Sequence, residues 1–270
     1  MTYASIMVAV DLTDQARNRV RLAAHLADTF HAGLIGVAAE QPAYAVPPVG
    51  PTPASAYALE ASSEIVLNDL RRAHATFAEV AGTRSRIAWR SNLGVPLAFV
   101  TAQAAAADLV VVGRRTEPGP ALFAVDPGDL VMQLGRPVLV VPPHVDVLDA
   151  KRVVIGWRNT REARRAVWDA LPFLKRASQV IIVSVADDGG PADGQDILGL
   201  VRAHDVHATA IQRRAQGLTA AEALVEVAAE QGADLIVTGA YGHGRLREWA
   251  FGGVTRFLLA GAPVCCLMSH

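Results

Sequence analysis

The chain has 270 residues, of which 51% are hydrophobic and only 6% aromatic, and its net charge is −1 from 25 basic and 26 acidic residues. This length suits one large domain or two of about 130 residues with a mainly aliphatic core. The balanced charge is not that of a protein for nucleic acids or anionic membranes. Without a membrane-length apolar run or a signal-peptide start, we expect a soluble, cytoplasmic protein.

One pattern of apolar runs occurs twice along the chain. The matching runs are 6–11 with 153–158, 108–113 with 234–239, and 136–141 with 262–267. Each first run is followed by an amphipathic helix, which we expect Thr13 and Thr160 to cap. The repeat predicts two domains, at 1–143 and 150–270, joined near 142–149, each with the order β-α-β-α-β-α-β-α-β.

The predicted strands are continuous apolar runs without strict alternation. Such strands are typical of a parallel sheet with helices on both faces, so each domain is predicted to be a doubly wound, Rossmann-like α/β fold. Ligands of these sheets bind at the carboxyl ends of the strands, near the point where the strand order reverses.

The first domain is predicted to carry about 21 more residues before its fourth strand than the second domain. Five prolines lie between residues 41 and 55, where they exclude the interior of a helix or strand. We therefore expect an irregular excursion at 41–55, following the second strand.

The strongest functional signal is a set of spaced glycines in the second domain. Gly239 and Gly242 follow an apolar run, and Gly252 comes nine residues after Gly242. Glycines let a backbone approach a ligand closely, and the helix predicted from 254 to 260 offers free N–H groups and a positive dipole end. The pattern predicts an anion site, and a nucleotide phosphate suits it best.

This spacing resembles the G-x2-G-x9-G-(S/T) loop of the universal stress proteins, in the nucleotide-binding class of that family. Gly253 stands where the family has Ser or Thr, and Val254-Thr255 then restores the family's ending. The resemblance extends over nearly the whole chain. It implies two tandem domains of the adenine nucleotide alpha hydrolase-like fold, whose last strands pair within the chain as a pseudo-dimer. A homodimer of the whole chain stays open.

The resemblance also implies an adenosine site made from a strand-end Asp, the backbone of a Val and the glycine loop. The first domain has Asp11 and Val37, but it has Thr116 in place of the second glycine and acidic residues near the expected phosphate. The second domain has Val185 and the intact loop, with Arg158 in the region of the Asp. We therefore place the nucleotide in the second domain.

The residues expected to contact the nucleotide combine the Val backbone, the loop glycines and nearby donors. They are Val185, Gly239, Gly242, His243, Arg245, Gly252, Gly253, Val254 and Thr255. His243 and Arg245 are of the types that contact phosphate. Gly253 lacks a hydroxyl worth about 0.5–1.5 kcal/mol, which we expect Thr255 to replace in part.

The predicted ligand is ATP, or alternatively AMP or ADP, with Mg²⁺ accompanying ATP, and the predicted role is stress-response regulation. We expect at most slow hydrolysis, since no general base or Mg²⁺-binding carboxylate is evident beside the loop. Adjacent Cys265 and Cys266 are predicted to be buried on opposite faces of a strand, rather than to bind a metal.

Two alternatives to the nucleotide-binding function remain open. One is a universal stress protein that binds no nucleotide and serves as a protein-interaction or hydrophobic-ligand module. The other is an adenylyl-handling enzyme, which the motifs after the first strands do not favour. The protein partner is not indicated by the sequence.

Overall fold

A computed structural model describes residues 2–43, 52–114, 125–186, 194–214, 217–242 and 253–270. The elements of the first half are β1 (Ser5–Ala9), α1 (Gln15–Phe30), β2 (Gly33–Glu40), α2 (Pro53–Ala81), β3 (Ile87–Leu93), α3 (Pro96–Gln103), a 3-10 turn (Ala104–Ala106), β4 (Leu109–Gly113), α4 (Pro127–Gln133) and β5 (Val138–Val141). Those of the second half are β6 (Arg152–Gly156), α5 (Arg161–Leu174), β7 (Gln179–Ala186), α6 (Gln195–Ala203), β8 (Ala208–Arg214), α7 (Ala220–Gln231), β9 (Leu235–Gly239), α8 (Gly253–Gly261) and β10 (Cys265–Ser269).

The predicted element order and α/β class are confirmed. The strands form one sheet in the order β3-β2-β1-β4-β5-β10-β9-β6-β7-β8. Neighbouring strands run parallel within each half. The inner strands are buried on both faces of the sheet, whereas the edge strands β3 and β8 are largely exposed. In each half the strand order reverses beside the first strand, which brings the carboxyl ends of the first and fourth strands together.

The two halves meet through an antiparallel pairing of their last strands, as expected. Leu139 of β5 lies opposite Leu267 of β10. The ring of Phe173 in the second half contacts those of Tyr3 and Phe30 in the first half edge to face, with centroids 5.6 and 5.1 Å apart. These buried contacts make the pseudo-dimer one continuous packing unit, since aromatic pairs of this geometry are favourable.

The helix starts agree with prediction in the second half and differ in the first. Thr160 caps α5 by accepting a hydrogen bond from the N–H of Ala163, as expected. The prediction for Thr13 is wrong, because α1 begins at Gln15 with Asp14 in the cap position. The Thr13 N–H instead donates to Oδ1 of Asp11, at 3.0 Å.

The extra residues of the first half mainly lengthen a helix, which corrects the predicted excursion. Helix α2 has 29 residues, whereas α6 at the same place in the second half has 9. Pro53 begins α2 because the first turn of a helix tolerates proline, and Thr52 and Ser55 form a capping box. The excursion therefore ends by residue 52, and its positions 44–51 lie outside the described residues.

The two cysteines occupy opposite faces of β10, as the sequence predicts. Cys265 packs in one hydrophobic cluster and Cys266 in the other, and both are buried. Burial raises the pKa of the Cys266 thiol to about 12. No helix in the described part of the chain has both the length and the apolar character to cross a bilayer.

Candidate functional site

The glycine loop begins at the carboxyl end of β9, beside the carboxyl end of β6. These strands are neighbours, with Gly156 level with Thr238. The first turn of α5 lies next to this point because α5 packs against β9. The predicted site therefore lies where the strand order of the second half reverses, the place at which open α/β sheets bind ligands.

Gly239 is required by the close packing of two backbones. A Cβ at this position would lie 2.5 Å from the nitrogen of Ala163 and 2.6 Å from the carbonyl carbon of Glu162. Real Cβ atoms do not approach backbone this closely, so only glycine allows β9 to end against α5. The small size of Gly239 thus brings the loop onto the start of α5.

Gly242 faces a carboxylate that the sequence analysis missed. A Cβ at Gly242 would lie 3.1 Å from Oε2 of Glu162 and 3.4 Å from Oγ1 of Thr160. The Glu162 side chain is only 9% exposed and pairs with Arg161, Nη2 to Oε1, at 3.0 Å. The expectation that no carboxylate lies beside the loop is therefore wrong.

Glu162 is ionised at neutral pH despite its burial. Burial alone would raise the pKa of its carboxyl, but hydrogen bonds from its own backbone N–H and from Thr160 and Arg161, with the charge of Arg161, lower it overall. A negative charge therefore lies beside Gly242, at the mouth of the loop.

The described part of the helix after the loop begins at Gly253. Among the described residues, none has an atom within 4 Å of where a Cβ of Gly253 would be. Val254 follows and is partly buried. The amino-terminal N–H groups of such a helix lack partners within the helix and attract anions.

Three of the predicted site residues, His243, Arg245 and Gly252, lie outside the described residues.

Thr255 has a different place from the one expected. Its side chain is buried, and its Oγ1 accepts a hydrogen bond from the N–H of Tyr241, at 3.3 Å. Tyr241 itself has a left-handed backbone, with φ of 56°. Thr255 therefore braces the start of the loop, and its hydroxyl is not at the surface to replace the one missing at Gly253.

The start of the loop is also attached to the last strand and to the first half. The N–H of Ala240 donates to the carbonyl of Ser269, at 2.9 Å, and Nδ1 of His270 lies 3.0 Å from the Ala240 carbonyl oxygen. The Tyr241 hydroxyl lies over Gly128 of α4, 2.6 Å from where a Cβ of Gly128 would be. A displacement of Tyr241 would therefore alter its contact with α4.

Arginines surround the mouth of the loop on the α5 side. Arg158 lies two residues after the end of β6 and is exposed; its carbonyl accepts a hydrogen bond from the N–H of Thr160, at 2.6 Å, and its side chain has no hydrogen-bond or ion-pair partner in the described part of the chain. Arg161 is 74% exposed on its side chain. Arg164 Nη1 donates to Oδ1 of Asn159, at 2.6 Å. Three arginines against one glutamate make this rim net positive.

The register shows that Val37 and Val185 are not at equivalent positions. Val37 lies level with Ala9, the last residue of β1, whereas the residue level with Gly156 at the end of β6 is Val183. Val185 lies two residues further along β7, and it is level with Arg213 of β8. Val185 is therefore displaced by two residues along its strand from the position that corresponds to Val37.

In the first half, a buried arginine occupies the equivalent of the loop start. Arg19 of α1 is 3% exposed, and its Nη2 donates to Oδ2 of Asp11, at 2.7 Å. Its Nε donates to the carbonyl of Ala9, at 2.8 Å. The Nη1 group contacts Gly113 so closely that a Cβ there would collide with it. Asp11 is thus engaged by Arg19 instead of facing a ligand.

The amino terminus of α4, the helix after β4, is also occupied by a protein side chain. Asp126 caps α4 by accepting hydrogen bonds from the N–H groups of Gly128 and Asp129, at 2.8 and 3.1 Å. A cavity of about 10 Å³ remains at the strand ends, room for about one water molecule. Its lining comprises Ala9, Val10, Asp11, Val37, Ala38, Ala39, Pro96, Val100 and Val125. Residues 115–124, which include Thr116 and Glu117, lie outside the described part.

The two halves therefore differ in how well they fit a nucleotide. In the second half the start of α8, which no other described residue contacts at Gly253, and the arginine rim suit phosphates, and the strand-end Asp is absent. In the first half Asp11 and the helix amino terminus are both engaged by protein groups. Within the described residues, no group of three or more His, Cys, Asp or Glu could hold a metal ion.

Comparison with known proteins gives matches to one family. Residues 149–270 match the model of the Universal stress protein family. A universal stress protein from Archaeoglobus fulgidus DSM 4304 aligns over 98% of this chain and 95% of its own, with a TM-score of 0.69 at 14% identity. A functionally unknown protein from Pseudomonas aeruginosa PAO1 aligns over 99% and 92%, with a TM-score of 0.55 at 15% identity. Both show that the fold is shared. No curated protein matches this sequence.

Proposed function

Since residues 149–270 belong to the universal stress protein family, we propose that the second half of this chain binds an adenine nucleotide and acts in cytoplasmic stress-response regulation. The observation that carries the proposal is the start of α8 at Gly253, where no described residue would contact a Cβ, together with the arginines on the α5 side. Unpaired N–H groups, a helix dipole and guanidinium groups all favour phosphate oxygens. The domain bounds of this proposal are 1–143 and 150–270.

In this proposal the phosphates lie against Gly253 and Val254, and the base lies beside the ends of β6 and β7, near the backbone of Val185. Arg158 takes a phosphate in place of the hydroxyl that Gly253 lacks. The ionised Glu162 beside Gly242 repels a bare polyphosphate, so the proposal favours ATP with Mg²⁺ over metal-free ATP.

The proposed regulatory step is ordering of the loop from Gly239 to Thr255 by phosphate. Tyr241 then transmits the change, because its hydroxyl lies over Gly128 in the first half. The role is binding, with at most slow hydrolysis of ATP. ATP should protect the loop from protease cleavage, and unchanged cleavage at saturating ATP would contradict this step.

The test of binding is a calorimetric titration of nucleotide-stripped protein with Mg-ATP. We expect about one site per chain, since the first half is closed. Gly242→Val should abolish the signal, because the added side chain would lie against Glu162 and Thr160 at the loop mouth. Gly199→Val is the matched control, because a Cβ at Gly199 meets nothing within 4 Å and lies in α6.

A parallel titration with EDTA in place of Mg²⁺ tests the role of charge at Glu162. Weaker binding without the metal, restored by Glu162→Gln, is the expected result. An absence of heat with Mg-ATP, together with no thermal shift at millimolar ATP, would overturn the nucleotide-binding function.

A nucleotide-independent module is the second candidate, and the buried Glu162 specifically favours it. The Glu162 carboxylate supplies a negative charge beside the loop, so it takes part of the place that a phosphate would occupy. In that case Glu162→Gln would leave ATP binding undetectable. The protein would then act through its surface or through an apolar ligand.

A further inference from the structure

The first helices of the two halves, α1 and α5, occupy matching places in the internal repeat. The N–H of Val10 after β1 donates to the carbonyl of Val37, and the N–H of Trp157 after β6 donates to that of Val183, both at 2.8 Å. Residues of the two helices therefore correspond at an offset of 147. The buried pairs that keep this offset in one hydrophobic cluster are Ala16 and Ala163, Val20 and Val167, Ala23 and Ala170, and Leu26 and Phe173.

The outer face of α1 is covered by the linker, residues 142–149, which joins the two halves. Oδ2 of Asp146 pairs with Nη1 of Arg21 at 2.6 Å, and Oδ1 of Asp149 lies 3.4 Å from Nε2 of His25. Between these acids, Leu148 is 2% exposed and packs in the same hydrophobic cluster as α1. A non-helical segment of acidic and apolar residues thus covers the first helix of the first half.

The matching face of α5 carries cations and a tryptophan and is exposed. We define the α5 face by four exposed residues at the spacing of neighbours on a helix. They are Arg161, Arg164, Arg165 and Trp168. Trp168 is 45% exposed, and its ring meets that of His204 edge to face, with centroids 5.4 Å apart.

Arg164 lacks the acidic partner that its counterpart on α1 has. Its counterpart is Arg17, which donates to both carboxylate oxygens of Glu79 from α2, at 2.5 and 2.8 Å. Arg164 donates to the Asn159 side chain and has no carboxylate partner within the described residues. A cation that another element neutralises in the first half is therefore left without a carboxylate in the second.

The other two arginines of the α5 face have carboxylate partners within α5 itself. Arg161 pairs with Glu162, and Arg165 lies 3.6 Å from Asp169 and donates to the carbonyl of Gly135 at 2.6 Å. A guanidinium group has five N–H donors, so these contacts leave donors for a further acid. In the part of the chain that the structure describes, no carboxylate of another element reaches this face.

We propose that the α5 face binds a non-helical acidic segment of a partner protein. Its apolar residues pack on Trp168, and its carboxylates pair with the arginines. The internal repeat identifies the chemistry that fits such a face, since the linker over α1 reads Val-Asp-Val-Leu-Asp at 145–149. Trp168 stands at the place of Arg21, so an apolar residue of the partner takes the place that Asp146 has over α1. Tryptophan and arginine are the residues that most often dominate binding energy at protein interfaces.

Charge and composition separate this occupant from the others. A second copy of the α5 face would place arginines against arginines, which is unfavourable. The linker of a second copy is already held on its own α1 through Asp146 and Leu148. The net charge of −1 gives no general attraction for nucleic acid, and a phosphate backbone offers no apolar group for Trp168.

The test is fluorescence anisotropy of a labelled peptide with the sequence of residues 142–149, titrated with the full chain without nucleotide. The peptide should bind saturably at one site. A peptide with Asp146→Asn and Asp149→Asn should bind about tenfold more weakly, because it lacks the carboxylates. Raising the salt concentration from about 0.05 to about 0.5 M should also weaken binding.

Two variants of the protein locate the site. Arg164→Glu and Trp168→Ala should each raise the dissociation constant of the peptide about tenfold. Arg214→Glu is the matched control, because it makes the same charge change at an exposed arginine of the edge strand β8, and it should leave binding unchanged. Circular dichroism establishes that each variant is folded, as expected for side chains this exposed.

Several outcomes would overturn the proposal. One is an absence of saturable binding at millimolar protein, and another is equal binding of the two peptides. Binding that neither Arg164→Glu nor Trp168→Ala weakens would mean that the peptide uses another surface. A single-stranded RNA that displaces the peptide at lower concentration would assign the face to nucleic acid. Because no nucleotide is present, each result is distinct from the outcome of the ATP titration.

Discussion

The strand-end sites of the two halves hold opposite charges beside the starts of their loops. In the first half the Arg19 guanidinium contacts Gly113, and in the second half the start of α5 and the Glu162 carboxylate contact Gly239 and Gly242. Both charged groups come from the helix that follows the first strand. That helix is therefore the element that decides what occupies the end of the sheet.

The helices after the fourth strands, α4 and α8, also differ in what contacts their amino termini. The α4 amino terminus is capped by Asp126 and covered by Tyr241, whereas no described residue would lie within 4 Å of a Cβ at Gly253, at the start of α8. In the described part of the chain, the two halves of one fold thus differ at this helix start by a few side chains.

Removing Arg19 should destabilise the first half most. Arg19→Met leaves the Asp11 carboxylate, only 15% exposed, without its guanidinium partner. Breaking a buried pair on one side costs about 3–5 kcal/mol, and we expect the lower end because Thr13 still donates to Asp11. Urea unfolding measures this cost. Arg19→Met/Asp11→Asn should recover part of it, and an equal loss in the double variant would mean that the ion pair is not the cause.

Adding one methyl group at the start of the second loop should also be costly. Gly239→Ala places a Cβ 2.5 Å from the Ala163 nitrogen, so the backbone must shift, at about 1–3 kcal/mol. Gly253→Ala is the control with the same change in open space and should cost nothing. Thermal unfolding of the two variants compares them. Equal melting temperatures would show that the packing of β9 on α5 is looser than the structure indicates.

Removing the cap of α4 should destabilise the protein less than these changes do. It would also free the amino terminus of α4 from its side-chain partner. Asp126→Ala releases the N–H groups of Gly128 and Asp129 and should cost about 0.5–2 kcal/mol. Asp129→Ala removes an exposed charge from the same turn without removing the cap, so it should cost less. Urea unfolding of both variants makes the comparison, and equal costs would contradict the capping role.

Much of the fold was predictable from the sequence because repetition and apolar runs carry that information. The element order and the Thr160 cap follow from the repeated apolar runs and from local chemistry, and the pairing of the last strands was implied by the family resemblance. The length of α2 was not predictable from the prolines alone. A proline can begin a helix as readily as it interrupts one, and Pro53 begins α2.

The glycines of the candidate site were predictable from the sequence, whereas its charged residues were much less so. Glu162 and Arg19 were missed because each acts through space, on a glycine far away in sequence. A signal for Arg19 was nevertheless present, since it lies among the buried residues Ala16, Val20 and Ala23 of α1. A cation on an apolar helix face requires a buried partner, and Asp11 is the acid eight residues earlier.

The smallest predicted effect concerns the acid stability of the second half. Folding lowers the pKa of Glu162 below its ordinary value of 4.5, so its contribution to stability is complete above that pH and is lost as the pH falls through the lower folded value. Glu162→Gln cannot ionise and should lack this contribution. The free-energy difference between wild type and Glu162→Gln, measured by urea unfolding, should therefore be constant near neutral pH and shrink below pH 4.5.

Other carboxylates with lowered pKa values, Asp28, Glu79 and Glu222, are the same in both proteins and cancel in this difference. A difference that does not change with pH would mean that Glu162 stabilises α5 by packing alone. The charge beside Gly242 would then have no part in the contrast with Arg19 at Gly113. A difference that shrinks as expected would establish that folding keeps a carboxylate ionised at the loop mouth, as the requirement for Mg²⁺ in the proposed nucleotide site supposes.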